Sequence, residues 1–181
     1  MITLTPYIKK DLTLYKQLYL TAFPKEERAP WLLLKHRAAQ GRADALEALD
    51  DGKFAGLAYV VTLDDMAYLF YLAVAGEQRG RGTGGKIIAA LRERYPNKRL
   101  FLAREQLDRT AANYPQRESR HRFYLKNGFE DWGTLIKEGP VTYDVMGIGK
   151  SVTPPEYKAL MSFWTGKLAG LIFRAYLTEH E

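Results

Sequence analysis

The sequence predicts an α/β (α+β) fold, a mixed central β-sheet flanked by helices and followed by an extra carboxyl-terminal helix. Three observations carry this expectation. Apolar stretches of strand length alternate along the chain with stretches whose apolar residues recur at helical spacing. One run, Met66 to Val74, is apolar almost throughout, as a strand buried on both faces would be. Just beyond it, Gly80, Gly82, Gly84 and Gly85 lie within six residues and lead into an amphipathic helix.

The elements follow in order. Thr3 to Tyr7 reads as a short first strand. Leu12, Leu14, Tyr15, Leu18, Tyr19 and Phe23 then recur at helical spacing and stop at Pro24. A polar loop punctuated by Pro24 and Pro30 carries Glu26 and Glu27, and a second helix follows with Trp31, Leu32, Leu34 and Lys35. Residues 43–50 stay open between helix, favoured by Ala, Leu and Glu, and strand, favoured by their brevity. Asp51-Gly52 reads as a hairpin turn. Phe54 to Leu63 and Met66 to Val74 are strands about the turn Asp64-Asp65. Lys86 to Tyr95 is a helix ended by Pro96, and Leu100 to Ala103 is a short strand. After a polar excursion, a helix runs to about Asn127, where Asn127-Gly128 supplies a left-handed terminus. Phe129 to Trp132 and Val141 to Met146 read as closing strands. The last helix starts near Pro154-Pro155, with a stripe of Tyr157, Leu160, Met161, Trp164, Leu168, Leu171, Ile172, Ala175 and Tyr176. Phe163, Phe173 and Leu177 lie off that stripe.

Composition narrows the function. The chain has 181 residues, 46% hydrophobic and 27% charged, which suits one compact domain and excludes a disordered chain. It has no cysteine, so disulfides, thiolate metal sites and cysteine nucleophiles are excluded. No two of His36, His121 and His180 sit at ligand spacing, so no metal is expected. No basic-then-apolar leader opens the chain, and no apolar run nears the roughly 20 residues that span a bilayer. The expectation is a soluble, cytoplasmic protein. A net charge of +6 is scattered without blocks of like charge. The aromatics fall on core faces instead of alternating with basic residues, so neither nucleic acid nor membrane is expected as a partner.

The most specific chemistry lies at Glu77-Gln78-Arg79-Gly80-Arg81-Gly82-Thr83-Gly84-Gly85-Lys86. Bare backbone N–H groups at a helix start, reinforced by Arg79, Arg81 and Lys86, form a site for a diphosphate. A Walker A loop would need Ser or Thr at position 87, which is Ile, and this excludes an NTPase. A dinucleotide pattern fits Gly80, Gly82 and Gly85, with Glu105 about 20 residues on as the ribose acid. In that pattern, however, the glycines should follow the strand directly, and Ala75 to Arg79 intervene. A third pattern, R-x-x-G-x-G, is met by Arg79, Gly82 and Gly84.

With this third pattern the stretch from Leu72 to Gly84 resembles the coenzyme A-binding strand, loop and helix start of the GNAT superfamily of acyl-CoA-dependent N-acetyltransferases. Phe123-Tyr124-Leu125-Lys126-Asn127-Gly128-Phe129 is similar to that family's second motif, in the same order and spacing. The resemblance covers the middle third of the chain. It implies a GNAT-like domain over 1–150, with 151–181 as a helix packed on it or at a subunit interface. It also implies two splayed parallel strands at the centre, Met66 to Val74 and Leu100 to Ala103, with the pantetheine arm in the gap.

By the same resemblance, Leu72 and Val74 bind the pantetheine amides through backbone groups. The amides of Arg79, Gly80, Arg81, Gly82, Thr83 and Gly84 hold the pyrophosphate of acetyl-CoA. Tyr124 matches the general acid that protonates the departing thiolate. Glu105 is a candidate base, or else an exposed strand-end acid. Glu26 and Glu27 sit where the family places its acceptor, or are solvated loop charges. Many members carry asparagine seven residues before the tyrosine, where this chain has Arg117. His121, among Arg117, Arg120 and Arg122, reads as exposed and inert. The implied function is direct acetyl transfer from acetyl-CoA to a primary amine, without metal, in a chain for which a dimer is plausible. The alternatives are a non-catalytic coenzyme A-binding sensor or scaffold and, behind it, an NAD(P)-binding oxidoreductase.

Overall fold

A computed structural model describes residues 1–7, 12–138, 141–169 and 175–179. The chain forms two compact units, Met1–Thr62 with Leu69–Pro96, and Leu63–Tyr68 with Asn97–Glu181. As expected, the sheet is mixed and carries helices.

The first unit contains β1 (Ile2–Pro6), α1 (Leu12–Ala22), α2 (Trp31–Ala39), β2 (Asp44–Asp50), nearly all of β3 (Lys53–Leu63), most of β4 (Met66–Val74) and α3 (Thr83–Arg94). Residues 44–50 are strand. They pair antiparallel with β1 on one side and β3 on the other, and two ladders outweigh the helix preference of Ala, Leu and Glu. The β2–β3 turn has Asp51 at φ 48° and Gly52 at φ 79°, the two positive angles of a tight two-residue hairpin. Gly56 is held by packing. A Cβ there would lie 2.5 Å from the Ala73 carbonyl oxygen and 2.9 Å from Ile87 Cδ1, so a bare glycine lets β4 and α3 close on β3.

An aromatic cluster fills this unit's core. Tyr15, Tyr19 and Tyr59 are almost fully buried, and each hydroxyl donates to a backbone carbonyl, of Ala58, Ala29 and Leu34 respectively. Such pairing lets a large amphipathic ring stabilise a core without leaving its hydroxyl unsatisfied. Burial pushes the Tyr15 hydroxyl well above its ordinary pKa of 10, so it stays neutral and donating.

The second unit takes the start of β4 and adds β5 (Arg99–Glu105), α4 (Tyr114–Lys126), β6 (Glu130–Glu138), β7 (Val141–Ile148), α5 (Pro154–Ala169) and β8 (Ala175–Glu179). Its strand order is β4-β5-β7-β6-β8. The central β4–β5 pair is parallel, through Met66↔Arg99, Ala67↔Leu100 and Tyr68↔Phe101. Phe101 is stacked between Tyr68, with centroids 4.9 Å apart, and Trp132, 5.6 Å away. Trp132 in turn lies over Gly147, where a Cβ would come within 2.0 Å of its ring.

At the start of α5, Glu156 reaches back to Thr153, whose amide and hydroxyl donate to Glu156 Oε2 at 2.7 and 2.8 Å, the carboxylate half of a capping box. The expected stripe of Tyr157, Leu160, Met161 and Trp164 is buried. Burying side chains of this size contributes roughly 1.5–3 kcal/mol each. Beyond it the expectation is corrected. Gly166 has φ 68° and ψ 175°, outside the helical region, and Ala175, Tyr176 and Leu177 belong to β8 instead of a continuing helix. There Tyr176 lies opposite Lys137 and Leu177 opposite Ile136 of β6. The expected stripe residues Leu171 and Ile172, and Phe173, lie outside the described residues. Among the described residues, no helix is long and apolar enough to cross a membrane.

Candidate active site

The glycine loop leaves β4 in the first unit. Its start is anchored by the Ala75 amide, which donates to the Ala55 carbonyl at 2.9 Å. A single 3-10 turn, Gly76–Gln78, follows, and the Arg79 amide donates back to the Gly76 carbonyl at 3.2 Å. Gly80 and Gly82 both have φ 74° with nothing within 4 Å of where a Cβ would sit. The left-handed backbone asks for glycine, and the open space leaves the loop accessible to a bulky anion. Gly82 caps α3, which begins at Thr83 and so includes the last part of the glycine run. At this cap no side chain takes up the first N–H groups, the condition for anion binding at a helix start. Thr83 is buried and its hydroxyl has no hydrogen-bond partner.

Two expected ligand groups have partners already. The Val74 carbonyl accepts from Arg79 Nε at 3.2 Å, so the Arg79 side chain folds back on the strand end. Lys86 Nζ lies 3.8 Å from Asp50 Oδ2. Arg81 is exposed, and Leu72 is half-buried on β4.

Glu26 and Glu27 form another 3-10 turn, Lys25–Glu27, between α1 and α2. Glu26 is exposed and Glu27 half-buried. The loop is clipped to β4 by Tyr71, whose hydroxyl donates to the Glu27 carbonyl at 3.0 Å and accepts from the Ala29 amide at 2.9 Å. Nothing in the local sequence marks Tyr71 for that task, because its partners lie 42 and 44 residues away.

In the second unit, Tyr124 stands two residues before the end of α4. The helix closes with the Gly128 amide on the Leu125 carbonyl at 3.0 Å and the Phe129 amide on the Tyr124 carbonyl at 3.1 Å. This is a Schellman motif with Gly128 at φ 84°, and Phe129 packs on the Tyr124 ring at 5.4 Å. The second sequence motif is thus a helix stop that fixes the tyrosine between Phe123 and Phe129. Burial pushes the Tyr124 hydroxyl up to about 12, against the lowering influence of the Arg120 charge.

Glu105 ends β5 mostly buried, held by several donors. Arg117 Nη2 lies 2.9 Å from Oε1, Arg120 Nη2 contacts Oε2, and Asn113 Nδ2 donates at 3.2 Å. Arg117 also reaches Asn113 Oδ1 at 2.7 Å and the Gln106 carbonyl at 2.9 Å. The arginine at the family's usual asparagine position therefore ties the end of β5 to the start of α4.

The expectation for His121 is corrected. Its side chain is mostly buried, and Nε2 lies 2.7 Å from Asp131 Oδ2. Asp131 also takes Arg104 Nη2 at 3.0 Å, and Arg104 Nη1 reaches Asp144 at 3.0 Å. Arg104 is nearly fully buried, and sequence reasoning did not single it out. The available signal was a charged residue at an inward-facing strand position, two after Leu102.

Residues 42–131 match the family model of the acetyltransferase (GNAT) domain. No curated protein matches the chain. Among solved structures, a GNAT-family protein from Bacteroides thetaiotaomicron superposes with TM-score 0.73 at 20% identity, covering 93% of this chain and 98% of its own. The ribosomal-protein-S18-alanine N-acetyltransferase from Escherichia coli gives 0.58 at 19% identity, over 84% and 96%. A GNAT family acetyltransferase from Elizabethkingia anophelis with acetyl-CoA bound gives 0.53 at 17%, over 81% and 94%. At these identities the likeness is one of fold.

Proposed function

Because the chain belongs to the GNAT superfamily, we propose that it transfers the acetyl group of acetyl-CoA directly to a primary amine. The observation that carries this reading is the loop ending at α3, with two left-handed glycines, open space above them and a helix start without a side-chain cap. The amides from Arg79 to Gly84 hold the pyrophosphate, and Arg81 adds charge. Leu72 and Val74 present backbone groups to the pantetheine amides. A backbone donor near Leu72 stabilises the oxyanion, a contribution of about 3 kcal/mol to the barrier.

The amine nitrogen attacks the thioester carbonyl, the C–S bond breaks, and the thiolate leaves toward the Tyr124 hydroxyl. The attacking nitrogen must lose a proton, and Glu105 is the carboxylate assigned to it. Its arginine partners hold it in position, and the incoming proton displaces one of its hydrogen bonds. Glu26, exposed on the α1–α2 loop, and Glu27 meet the acceptor.

One observation favours the second reading, a coenzyme A-binding module without turnover: both Glu105 oxygens are occupied by Arg117, Arg120 and Asn113. An amine panel followed by release of free thiol decides between them. Turnover on any amine, lost at least tenfold in Glu105→Gln, supports transfer. Binding of acetyl-CoA with no turnover across the panel supports the module. A ligand at a hundredfold excess over its Kd adds about 2.7 kcal/mol of stability. A melting shift with NADH and none with acetyl-CoA would reject both.

A further inference from the structure

The two arginines on Glu105 hold it in different ways. Arg117 is a brace. Its side chain is 19% exposed, and its guanidinium makes three contacts: Nη2 with Glu105 Oε1 at 2.9 Å, Nε with Asn113 Oδ1 at 2.7 Å and Nη1 with the Gln106 carbonyl at 2.9 Å. Asn113 Nδ2 donates to the same carboxylate at 3.2 Å. Arg120 is a single tether. Its side chain is 46% exposed, and among the described residues its guanidinium pairs with Glu105 Oε2 alone. If Arg120 swings away, Arg117 and Asn113 still hold Glu105 in place.

This tether lies on the face of α4 that carries Tyr124. Arg120 precedes Tyr124 by four residues, one helical turn, so the two side chains are neighbours. The Arg120 charge is felt at the Tyr124 hydroxyl. An acceptor whose nitrogen reaches Glu105 Oε2 must displace the Arg120 guanidinium. A plain amine offers the displaced cation nothing in exchange. A molecule with a carboxylate beside its amine replaces one ion pair by two. Its ammonium takes Oε2, and its carboxylate takes the guanidinium, whose planar fork matches it. The exchange conserves charge, so it does not depend on the net charge of the surroundings. Because Arg120 and Glu105 start in contact, the two charges of the acceptor must also lie close together. An α-amino acid meets that condition. A polyamine has no carboxylate, and the amino terminus of a protein has lost the adjacent one to a peptide bond.

We propose that the acceptor is a free α-amino acid, held through its carboxylate by Arg120 while its amino group faces Glu105. This deepens the acetyl-transfer reading and rests on Glu105 as its base.

The test compares the common L-amino acids with their amides at constant ionic strength, by release of free thiol from acetyl-CoA. For an accepted amino acid, kcat/KM should exceed that of its amide by about tenfold to a hundredfold, the worth of a hydrogen-bonded charge pair. Arg120→Gln should abolish this preference by raising KM for the amino acid, and Arg120→Lys, which keeps the charge without the fork, should restore part of it. An amide or a plain amine used as well as the amino acid, or a preference that survives in Arg120→Gln, would overturn the proposal. A second readout needs no turnover: the guanidinium NMR signals of Arg120, assigned by their loss in Arg120→Gln. A saturable shift with L-amino acids and none with their amides is expected. No turnover on any amine, together with that shift, would reject the acetyl-transfer reading and leave the amino-acid site standing. Equal shifts with acid and amide, or none with either, would overturn the site itself.

Discussion

Replacing Tyr124 by Phe tests the catalytic assignment most directly. The Tyr124 hydroxyl keeps its proton up to about pH 12, because burial outweighs the charge of Arg120. A free thiol loses its proton near ~8.5. Complete transfer from the tyrosine to the thiolate is therefore uphill by roughly 5 kcal/mol, at about 1.4 kcal/mol per pH unit. Tyr124 is better suited to donate a hydrogen bond to the developing thiolate than to give up its proton early. A hydrogen bond to a charged group contributes about 1.5–3 kcal/mol. Loss of the hydroxyl should lower kcat about tenfold to a hundredfold with little change in KM for acetyl-CoA. The ring contacts with Phe123 and Phe129 survive in Phe, so the melting temperature should stay near that of the parent. Steady-state kinetics from pH 6 to pH 10 provide the assay. Two results would refute the reasoning: an unchanged kcat, or a basic limb below pH 10 that vanishes in the Phe variant.

Three further outcomes follow from local geometry. Gly82→Asp puts a carboxylate at a position with φ 74° facing the expected diphosphate, so the acetyl-CoA melting shift should vanish while the protein still folds; a retained shift would move the cofactor elsewhere. Gly128→Ala forces a Cβ into φ 84° at the Schellman stop, which costs about 1 kcal/mol and should lower the melting temperature by roughly 2–4 °C. An unchanged melting temperature would contradict the left-handed assignment. The Glu156 carboxyl is lowered from 4.5 to about 2, first by the Arg99 hydrogen bonds and then by the Thr153 amide. A depressed carboxylate stabilises above its unfolded pKa, so this contribution is present at neutral pH and is lost as pH falls from about 4.5 toward 2. Glu156→Gln should flatten that acid limb of the melting profile, and an identical limb in the variant would exclude the pair as its source.

The sequence by itself determined the parts governed by local backbone rules. The glycine loop, the Asp51-Gly52 hairpin and the Gly128 helix stop are legible because left-handed φ is a property of single residues, and each sits where the chain must turn sharply. The central strand was legible from its unbroken apolar run. Tertiary structure decided the rest, since these features rest on partners far away in the chain. Residues 44–50 became a strand because β1 and β3 pair with it on both sides, overriding a composition suited to helix. The chain beyond Gly166 ends in a strand because β6 offered an open edge, although its apolar spacing imitated a helix. Arg104 meets Asp144 only through the β5–β7 register, and His121 meets Asp131 ten positions on. Charge pairs of this kind leave no periodic trace, so only folding revealed that His121, expected to be exposed, joins a network around the buried Arg104.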